Sequence, residues 1–371
     1  MPQIEMSQIM VKQQNHLGII TLNRPEALNA LNLSMVTIIK EALLKWLDDE
    51  AVDCVLLTSS SSRAFCAGGD VREAVSLIKE NPTVSAEPYF EAEYGLDLIL
   101  TNYPKPVIAL VDGIVMGGGL GLARLSKYMV ISKTIKCAMP ETAIGLFPDV
   151  GASKFLRALP EPACLMMGMT GTILGAGDVI KWGLADFVIE VDKFDALIKE
   201  LSYADDLSDS SIKECLARYQ SQSMPDDHYY AHLDLIASIF GQDTPQAIAK
   251  AALELANKEG KTANMAAGWA EALTHKSPTS IALFWTMIKR LDEPLSLTDA
   301  IQRDFHLACK MMRRADFMEG VRAVLIDKDN APLWQPASLD EVDDDLLSSI
   351  CNFTDMPLLP LPSFLLKTNN D

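Results

Sequence analysis

Polar and apolar positions alternate over residues 8–22, which predicts a β-hairpin with its turn at residues 15–18. Short, continuous apolar runs predict buried strands at 52–58, 106–111, 128–132 and 136–139, with a last strand in GLADFVIE (183–190). Apolar residues at helical spacing predict helices at 30–47, 71–79, 89–102, 120–125, about 149–159, 165–174 and 176–182. Strands that alternate with helices in this way predict an α/β domain over about residues 8–192.

Helical periodicity continues almost without interruption through residues 195–325, where Pro, Asp and Ser separate the segments. The last part of the chain is acidic and proline-rich, and LDEVDDDLLSS within it predicts a short helix. A polar, mobile connection is predicted at 81–88. The predicted organisation is therefore an α/β core at 1–192, a helical region at 193–330 and a C-terminal tail at 331–371.

The composition is typical of a globular protein, with 49% hydrophobic and 22% charged residues in a chain of 371. A formal net charge of −18 disfavours binding to nucleic acid or to an anionic membrane surface. It is compatible with an anionic small ligand, because such a ligand needs only a local basic patch.

Seven cysteines are scattered along the chain without a CxxC pair, as is typical of free thiols in a reducing compartment. The N-terminal segment lacks the apolar centre of a signal peptide, and the C-terminus carries no targeting tripeptide. No apolar run reaches the roughly 18 residues that a transmembrane helix requires. We therefore expect a soluble cytoplasmic protein without a membrane partner.

Two glycine-rich turns could present backbone N–H groups to a ligand. The triplet Gly117–Gly118–Gly119 joins a predicted strand to a predicted helix, where free amides attract negative charge. It matches neither a dinucleotide-binding nor a Walker A motif, and tight strand–helix packing explains it equally well. The second turn, CAGGD (66–70), either supplies another amide donor or simply caps a helix. Taken together the turns favour acyl-transfer chemistry, which requires two converging donors.

Two acidic residues flank the apolar turn in MPETAIGLFPDVG (139–151). Asp149 follows Pro148 at a predicted helix start, where the helix dipole favours an acid whatever its function. Glu141 follows Pro140 in an otherwise apolar run, which is harder to explain by structure alone. Paired carboxylates in a partly dry site can divide basic and acidic or orienting roles, because their surroundings separate their pKa values.

Other chemistries find less support in the sequence. A GxSxG motif is absent, so a serine nucleophile is not expected, and no cysteine has an activating motif. His228 and His232 have the i, i+4 spacing of metal ligands, but no further ligands lie near them in the sequence. We therefore predict neither a metal nor a separate cofactor.

The motifs, in this order, resemble the enoyl-CoA hydratase/isomerase (crotonase) superfamily over nearly the whole chain. The matching stretches are ITLNRPEALNALN (20–32), AFCAGGDV (64–71), KPVIALVDGIVMGGGLGL (105–122), MPETAIGLFPDVG (139–151), LGAGDVIKWGLADFVI (174–189) and SPTSIALFWTMI (277–288). The resemblance implies the crotonase fold, a spiral of ββα turns that forms two roughly perpendicular sheets flanked by helices, followed here by a C-terminal α-helical region.

Within the superfamily, the 3-hydroxyisobutyryl-CoA hydrolase branch is most similar. The similarity lies in MPETAIGLFPDVG, in DFMEGVRAVLIDKDNAPLWQP (316–336), in the helical insertion and in the total length. Hydratases resemble one another in a glutamate two residues after the glycine triplet and a second glutamate in the PE motif. Here the first position is Gly121, and Asp149 stands where hydratases usually have glycine. The resemblance therefore implies hydrolysis of a thioester instead of hydration of a double bond.

The resemblance also implies roles for individual residues. Gly69 and Gly118 match the two backbone donors of the oxyanion hole, and Glu141 matches the catalytic carboxylate. Asp149 is expected to contact the substrate hydroxyl or to position the acyl group and water.

Two further residues match substrate-binding positions of the branch. Glu93, in YFEAEYG, matches a glutamate that contacts the substrate. Arg24 resembles a residue near the phosphates of coenzyme A, although the basic residue varies at that position among relatives.

The expected reaction converts 3-hydroxyisobutyryl-CoA to 3-hydroxyisobutyrate and coenzyme A in valine catabolism, with 3-hydroxypropionyl as another possible acyl group. Coenzyme A is then part of the substrate. Glu141 either attacks the thioester to form a mixed anhydride or acts as a base for water. Alternatives are an enoyl-CoA hydratase or isomerase, which Gly121 disfavours, and a non-catalytic RNA-binding relative, which the net charge and the acid pair disfavour. The C-terminal helices either fold over their own core or mediate assembly into a homo-oligomer.

Overall fold

The computed structural model of the protein describes residues 7–80, 87–354 and 358–367. Most of the connection predicted at 81–88 lies outside these ranges. Among the described residues, no helix combines the length and the apolar character that crossing a bilayer demands.

Six strands form the larger sheet. They are β1 (Ile9–Gln14), β2 (Leu17–Leu22), β3 (Cys54–Ser59), β5 (Val107–Val111), β7 (Tyr128–Ile131) and β9 (Phe187–Val188), and they lie in the order β1–β2–β3–β5–β7–β9. The first two form the predicted antiparallel hairpin, and the other neighbours are parallel. β5 and β7 are buried along their whole length, which explains their continuous apolar sequences.

A second sheet contains three short parallel strands. They are β4 (Ala64–Cys66), β6 (Ile114–Met116) and β8 (Lys136–Ala138), in the order β4–β6–β8. The sequence analysis predicts no strand at the position of β4 or of β6, and it was wrong there. Each has only three residues between serine- or glycine-rich segments, and three residues are too few to reveal the alternation of polar and apolar positions that predicts a strand. Both strands lead directly into the two glycine-rich turns.

Seven helices accompany the two sheets within the described part of the first 192 residues. They are α1 (Leu33–Leu47), α2 (Val71–Glu80), α3 (Glu87–Thr101), α4 (Gly118–Arg124), α5 (Ala152–Phe155), α6 (Glu161–Thr170) and α7 (Ala176–Lys181). Short 3₁₀ turns lie at Pro25–Ala27, Glu141–Ile144, Leu156–Ala158 and Val191–Lys193.

Local capping explains where the helices differ from their predicted bounds. α1 begins later than predicted because the side chain of Asn32 accepts a hydrogen bond from the Met35 amide and caps the helix. The helix predicted at 165–174 is displaced: α6 follows Pro160 and ends at Thr170, where the next residue, Gly171, caps it with a left-handed φ of 62°. The helix predicted at about 149–159 is interrupted, with α5 followed by a 3₁₀ turn.

The rest of the chain is helical, as the periodicity predicts. The helices are α8 (Phe194–Ser202), α9 (Asp209–Tyr219), α10 (Leu233–Phe240), α11 (Pro245–Ala256), α12 (Lys261–His275), α13 (Pro278–Lys289), α14 (Leu297–Met311), α15 (Ala315–Val321), α16 (Asp344–Ile350) and α17 (Ser363–Lys367). Additional 3₁₀ turns lie at Tyr230–His232 and Leu339–Glu341, and a π-helical turn at Arg322–Ile326 follows α15.

The C-terminal helices pack against the same hydrophobic core as the sheets. Phe284 of α13 and Phe317 of α15 belong to the cluster that includes Ile20 of β2 and Leu98 of α3. The other face of the large sheet is covered by α8 and α9, through residues such as Leu197. Helices of the predicted region 193–330 therefore contribute to both hydrophobic clusters of the large sheet, while the three-part domain division itself stays a prediction.

Candidate active site

A cavity of about 290 Å³ lies between the two glycine-rich turns, the 3₁₀ turn that begins at Glu141, and α3. Five of the six predicted site residues contribute to its wall: Gly69, Glu93, Gly118, Glu141 and Asp149. Its apolar wall includes Ala30, Phe90, Ile144, Leu146, Val324 and Leu325. The cavity thus combines an apolar lining with a small number of convergent polar groups, which is typical of a site for a small molecule.

The two glycine-rich turns bring backbone amides together at one end of this cavity. A Cβ atom placed on Gly118 would lie 3.5 Å from the Gly69 amide nitrogen, so the two turns are in direct contact. Neither Gly69 nor Gly118 donates its N–H to a backbone acceptor within the described ranges. Two neighbouring N–H donors are therefore available to one oxygen atom of a ligand, as in an oxyanion hole.

Glycine is required in the triplet for two reasons. A Cβ atom on Gly118 would lie 2.4 Å from Oε1 of Glu93, so any side chain there would enter the cavity. A Cβ atom on Gly119 would lie 2.3 Å from the Cys66 carbonyl oxygen, which places α4 tightly against β4. Both interpretations of the triplet, a ligand site and tight packing, therefore apply, but to different glycines.

The carboxyl group of Glu141 lies next to the glycine triplet. The residue is buried at 6% exposure, and Oε1 lies 2.6 Å from the position that a Cβ atom would take on Gly117. Oε2 has no hydrogen-bond partner among the described residues. Burial and the negative charge of Asp149 hold the pKa of Glu141 well above its usual range, while the nearby Lys276 ammonium opposes this shift.

Asp149 is held by a tyrosine of α3. Its Oδ2 accepts a hydrogen bond of 2.5 Å from the Tyr94 hydroxyl, and both residues are buried. Burial raises the pKa of Asp149 to about 6, although the hydrogen bond from Tyr94 favours the ionised form. α5 begins three residues later, at Ala152, so a position in the first helical turn does not explain this acid.

Glu93 forms the opposite wall of the cavity on α3. Burial, and to a smaller extent the charge of Asp149, raise the pKa of Glu93 to about 8. Both of its carboxyl oxygens lie within 3.1 Å of the position that a Cβ atom would take on Gly69. The three acids Glu93, Glu141 and Asp149 thus surround the space beside the amide donors, and burial favours their neutral forms.

Arg24 does not contribute to the wall of the cavity. Its Nη1 donates to Oδ2 of Asp70 at 2.8 Å and to the Ala30 carbonyl at 2.9 Å, so its guanidinium supports the loop around the CAGGD turn. Arg72, in the first turn of α2, lines the cavity and has a half-exposed side chain. A role of Arg24 near a phosphate stays a prediction, and Arg72 is a basic residue that the structure places at the cavity.

Two site residues were missed from the sequence although each had a positional signal. Tyr94 directly follows Glu93, and Arg72 follows the CAGGD turn at the start of a predicted helix. Neither signal separates these residues from ordinary helical ones. Tyr94, for example, acts on the cavity through Asp149, a contact that spans 55 positions of sequence.

Val150 fills the space next to Gly121. A Cβ atom on Gly121 would lie 2.6 Å from Cγ2 of Val150. The backbone of Val150 has a positive φ of 50°. A larger side chain at position 121 therefore collides with the residue that follows Asp149. This packing gives a structural reason for the glycine at the position where the sequence analysis noted a missing glutamate.

Comparison with known proteins identifies the family and several relatives of the chain. A model of the enoyl-CoA hydratase/isomerase family matches residues 17–351. Over 345 residues the chain is 36% identical to the mitochondrial 3-hydroxyisobutyryl-CoA hydrolase of Gallus gallus, with 92% of this chain and 88% of that protein covered. It is 38% identical over 336 residues to the protein of the same name from Xenopus tropicalis, with 90% and 85% covered.

Solved structures give the same fold. A carnitinyl-CoA dehydratase from Mycobacterium thermoresistibile is similar with a TM-score of 0.85 at 30% identity, covering 96% of this chain and 99% of that one. An enoyl-CoA hydratase from Rhodobacter sphaeroides is similar with a TM-score of 0.83 at 30% identity, covering 93% and 97%. The crotonase fold predicted from the motifs is thereby confirmed.

Proposed function

Because the chain belongs to the enoyl-CoA hydratase/isomerase family, we propose that it hydrolyses a short-chain 3-hydroxyacyl-CoA thioester, with 3-hydroxyisobutyryl-CoA as the first candidate. The names of the curated relatives support this substrate. The observation that carries the proposal is the position of Glu141 and Asp149 in one cavity with two free amide donors, while Val150 occupies the space beside Gly121.

The amides of Gly69 and Gly118 would bind the thioester carbonyl oxygen. This oxygen becomes negatively charged when a nucleophile adds to the carbonyl carbon, and two N–H donors in a largely apolar cavity stabilise that charge. Removal of one such donor typically costs a factor of 100 or more in rate. Only the backbone supplies these donors, so the glycines contribute through the absence of a side chain.

Glu141 is the group we assign to the attack. In one route its carboxylate adds to the thioester carbon and coenzyme A leaves as the thiolate, which gives a mixed anhydride that water then cleaves. In the other route the carboxylate takes a proton from water, and the hydroxide attacks the same carbon. Both routes need the ionised carboxylate. A quenched turnover analysed by peptide mass spectrometry separates them, because only the first leaves an acyl group on Glu141.

Asp149 and Glu93 would bind the 3-hydroxyl group of the acyl chain. They flank the cavity beside Glu141, and their raised pKa values allow a neutral carboxyl to donate and a charged one to accept a hydrogen bond. A substrate hydroxyl satisfies polar groups that a plain acyl chain would leave buried and unpaired. The preference for 3-hydroxyacyl esters should therefore exceed what an apolar pocket alone achieves.

The proposal is tested by thiol release from a panel of acyl-CoA esters: 3-hydroxyisobutyryl, 3-hydroxypropionyl, isobutyryl and crotonyl. We expect rapid release from the 3-hydroxy esters and its loss in Glu141→Gln, with ligand binding nearly retained. Glu271→Gln, at an exposed position of α12, is the matched control. Wild-type turnover by Glu141→Gln would refute the role of Glu141. Loss of the enoyl absorbance of crotonyl-CoA without thiol release would instead support a hydratase.

The cellular location and the assembly state stay predictions. The relatives described above are named as mitochondrial proteins, whereas the sequence analysis predicts a cytoplasmic one. Cell fractionation distinguishes the two compartments, and sedimentation of the purified protein tests for a homo-oligomer.

A further inference from the structure

Lys276 lies in the connection between α12 and α13, close to the turn that carries Glu141. The backbone N–H of the next residue, Ser277, donates a hydrogen bond of 3.0 Å to the carbonyl oxygen of Thr142. Thr142 directly follows Glu141 in the 3₁₀ turn. The backbone of its neighbour Ser277 therefore attaches the lysine to the segment that positions the proposed catalytic carboxylate.

The ammonium group of Lys276 is also fixed at its other end. Nζ donates a hydrogen bond to the carbonyl oxygen of Thr170, the last residue of α6. A Cβ atom on Gly171 would lie 2.5 Å from this Nζ and 3.0 Å from Cα of Pro140. The ammonium group and the backbone just before Glu141 therefore flank the same narrow space, which glycine leaves open.

Without Lys276, the charged groups that act on Glu141 would both be acidic. Asp149 and Glu93 are acidic and favour the neutral form of the Glu141 carboxyl, whereas Lys276 is the cation that favours its ionised form. On the α13 side, Ser277 Oγ donates a hydrogen bond of 3.3 Å to Oδ2 of Asp316, an acid beside the connection that carries Lys276. Burial lowers the pKa of Lys276 to about 8, and the charge of Glu141 opposes this shift.

We propose that Lys276 is a positioning residue for thioester hydrolysis, whose ammonium group stabilises the ionised form of the Glu141 carboxyl beside the amide donors. This inference rests on the proposed function. A carboxylate that attacks a carbonyl or takes a proton from water must be ionised, and burial among other acids opposes ionisation. A fixed cation next to the turn reduces that cost without touching the substrate.

The test uses two variants that separate charge from structure. Lys276→Gln removes the charge but keeps an N–H group that can donate to the Thr170 carbonyl, and Lys276→Arg keeps the charge. We measure kcat/KM for thiol release as a function of pH. Loss of an opposite charge typically raises a carboxyl pKa by about 1 to 3 units, so the acid limb of the Lys276→Gln profile should move to higher pH by at least about 1 unit. At pH values on the acid side of both limbs, kcat/KM of Lys276→Gln should therefore be about tenfold or more below that of the wild type at the same pH.

Lys276→Arg should keep the acid limb near that of the wild type. Lys289→Met, on the surface at the end of α13, is the control and should leave the profile unchanged. A merely structural role of Lys276 would lower activity at every pH without moving the limb, and that result would overturn the inference. Lys276→Met provides a second neutral variant if the glutamine variant does not fold.

Failure of this inference can be told apart from failure of the proposed function. If Glu141→Gln is inactive and Lys276→Gln retains the wild-type acid limb, the role of Lys276 is refuted while the hydrolase proposal stands. If Glu141→Gln releases thiol like the wild type, the proposed function itself fails.

Discussion

The hydroxyl group of Tyr94 donates a hydrogen bond of 2.5 Å to Oδ2 of Asp149. Tyr94 is on α3, one residue after Glu93, so a single helical turn both contributes one acid to the cavity and orients another. The ring of Tyr94 is itself fixed, because it packs edge-to-face against Phe305 of α14 with ring centroids 5.8 Å apart. The C-terminal helices therefore support the site directly.

Tyr94→Phe should lower the kcat for thiol release, while the ring of residue 94 keeps its packing. The change keeps the ring in its packed position but removes a hydrogen bond to a carboxylate, which is worth about 1.5–3 kcal/mol. If the orientation of Asp149 matters for turnover, kcat for thiol release should fall by about 10- to 100-fold. Tyr103→Phe is the control, since its hydroxyl donates to the Leu43 carbonyl and Tyr103 is not part of the cavity wall. Equal kcat and KM for Tyr94→Phe and wild type would contradict this prediction.

Gly121→Ala should destabilise the protein. Its new Cβ atom would lie 2.6 Å from Cγ2 of Val150 in a buried position, and overpacking of this kind typically costs about 1–3 kcal/mol. Gly268→Ala in α12 is the matched control, because a Cβ atom there meets nothing within 4 Å. That change should instead stabilise the helix by about 0.5–1 kcal/mol. Urea unfolding measures both, and a stable Gly121→Ala variant would show that Val150 can move aside.

Much of the fold could be predicted because its larger elements carry a clear local pattern. The buried strand Val107–Val111 and the long helix Leu297–Met311 both follow from apolar spacing alone. Strands β4 and β6 could not be found in this way, since each has three residues and gains its stability from neighbours that are distant in sequence. Propensity over so few residues is outweighed by tertiary contacts.

The site shows the same division between local and distant information. Glu141 and Asp149 stand out because an acid in an apolar run is unusual, and two glycine turns signal a close approach of the backbone. Lys276 gives no such signal, since a lysine before the helix start at SPTS is an ordinary surface residue in sequence terms. Its position is decided by its own hydrogen bond to Thr170 and by the bond that the next residue, Ser277, donates to Thr142, and no local pattern records either contact.

Asp304→Asn should reduce the loss of stability that occurs as pH rises from 6 to 8. Asp304 is fully buried on α14, its Oδ2 accepts a hydrogen bond of 2.8 Å from the Gly151 amide, and burial raises its pKa to about 8. Between the ordinary carboxyl pKa and about 8, the folded state therefore binds more protons than the unfolded state. The free energy of unfolding then falls as pH rises, by about 1.4 kcal/mol per pH unit for one full proton.

Urea midpoints at pH 6 and pH 8 measure this effect. The wild type should lose more stability between the two values than Asp304→Asn, because asparagine keeps an acceptor for Gly151 but does not titrate. Asp205→Asn, at an exposed loop position, should behave like the wild type. An equal pH dependence in the wild type and Asp304→Asn would show that Asp304 is already ionised in the folded protein at pH 6.

The cysteines should be unreactive towards disulfide reagents in the folded protein. All seven are free, six of them are buried, and Cys351 is partly buried. Burial raises the pKa of Cys66 and of Cys137 to about 12, so the reactive thiolate is scarce at neutral pH. A disulfide reagent should therefore titrate at most Cys351, and slowly, in the native protein, but seven thiols after unfolding in guanidinium chloride. Cys351→Ser should remove the slow native reaction, whereas rapid labelling of several thiols would show that the core opens readily.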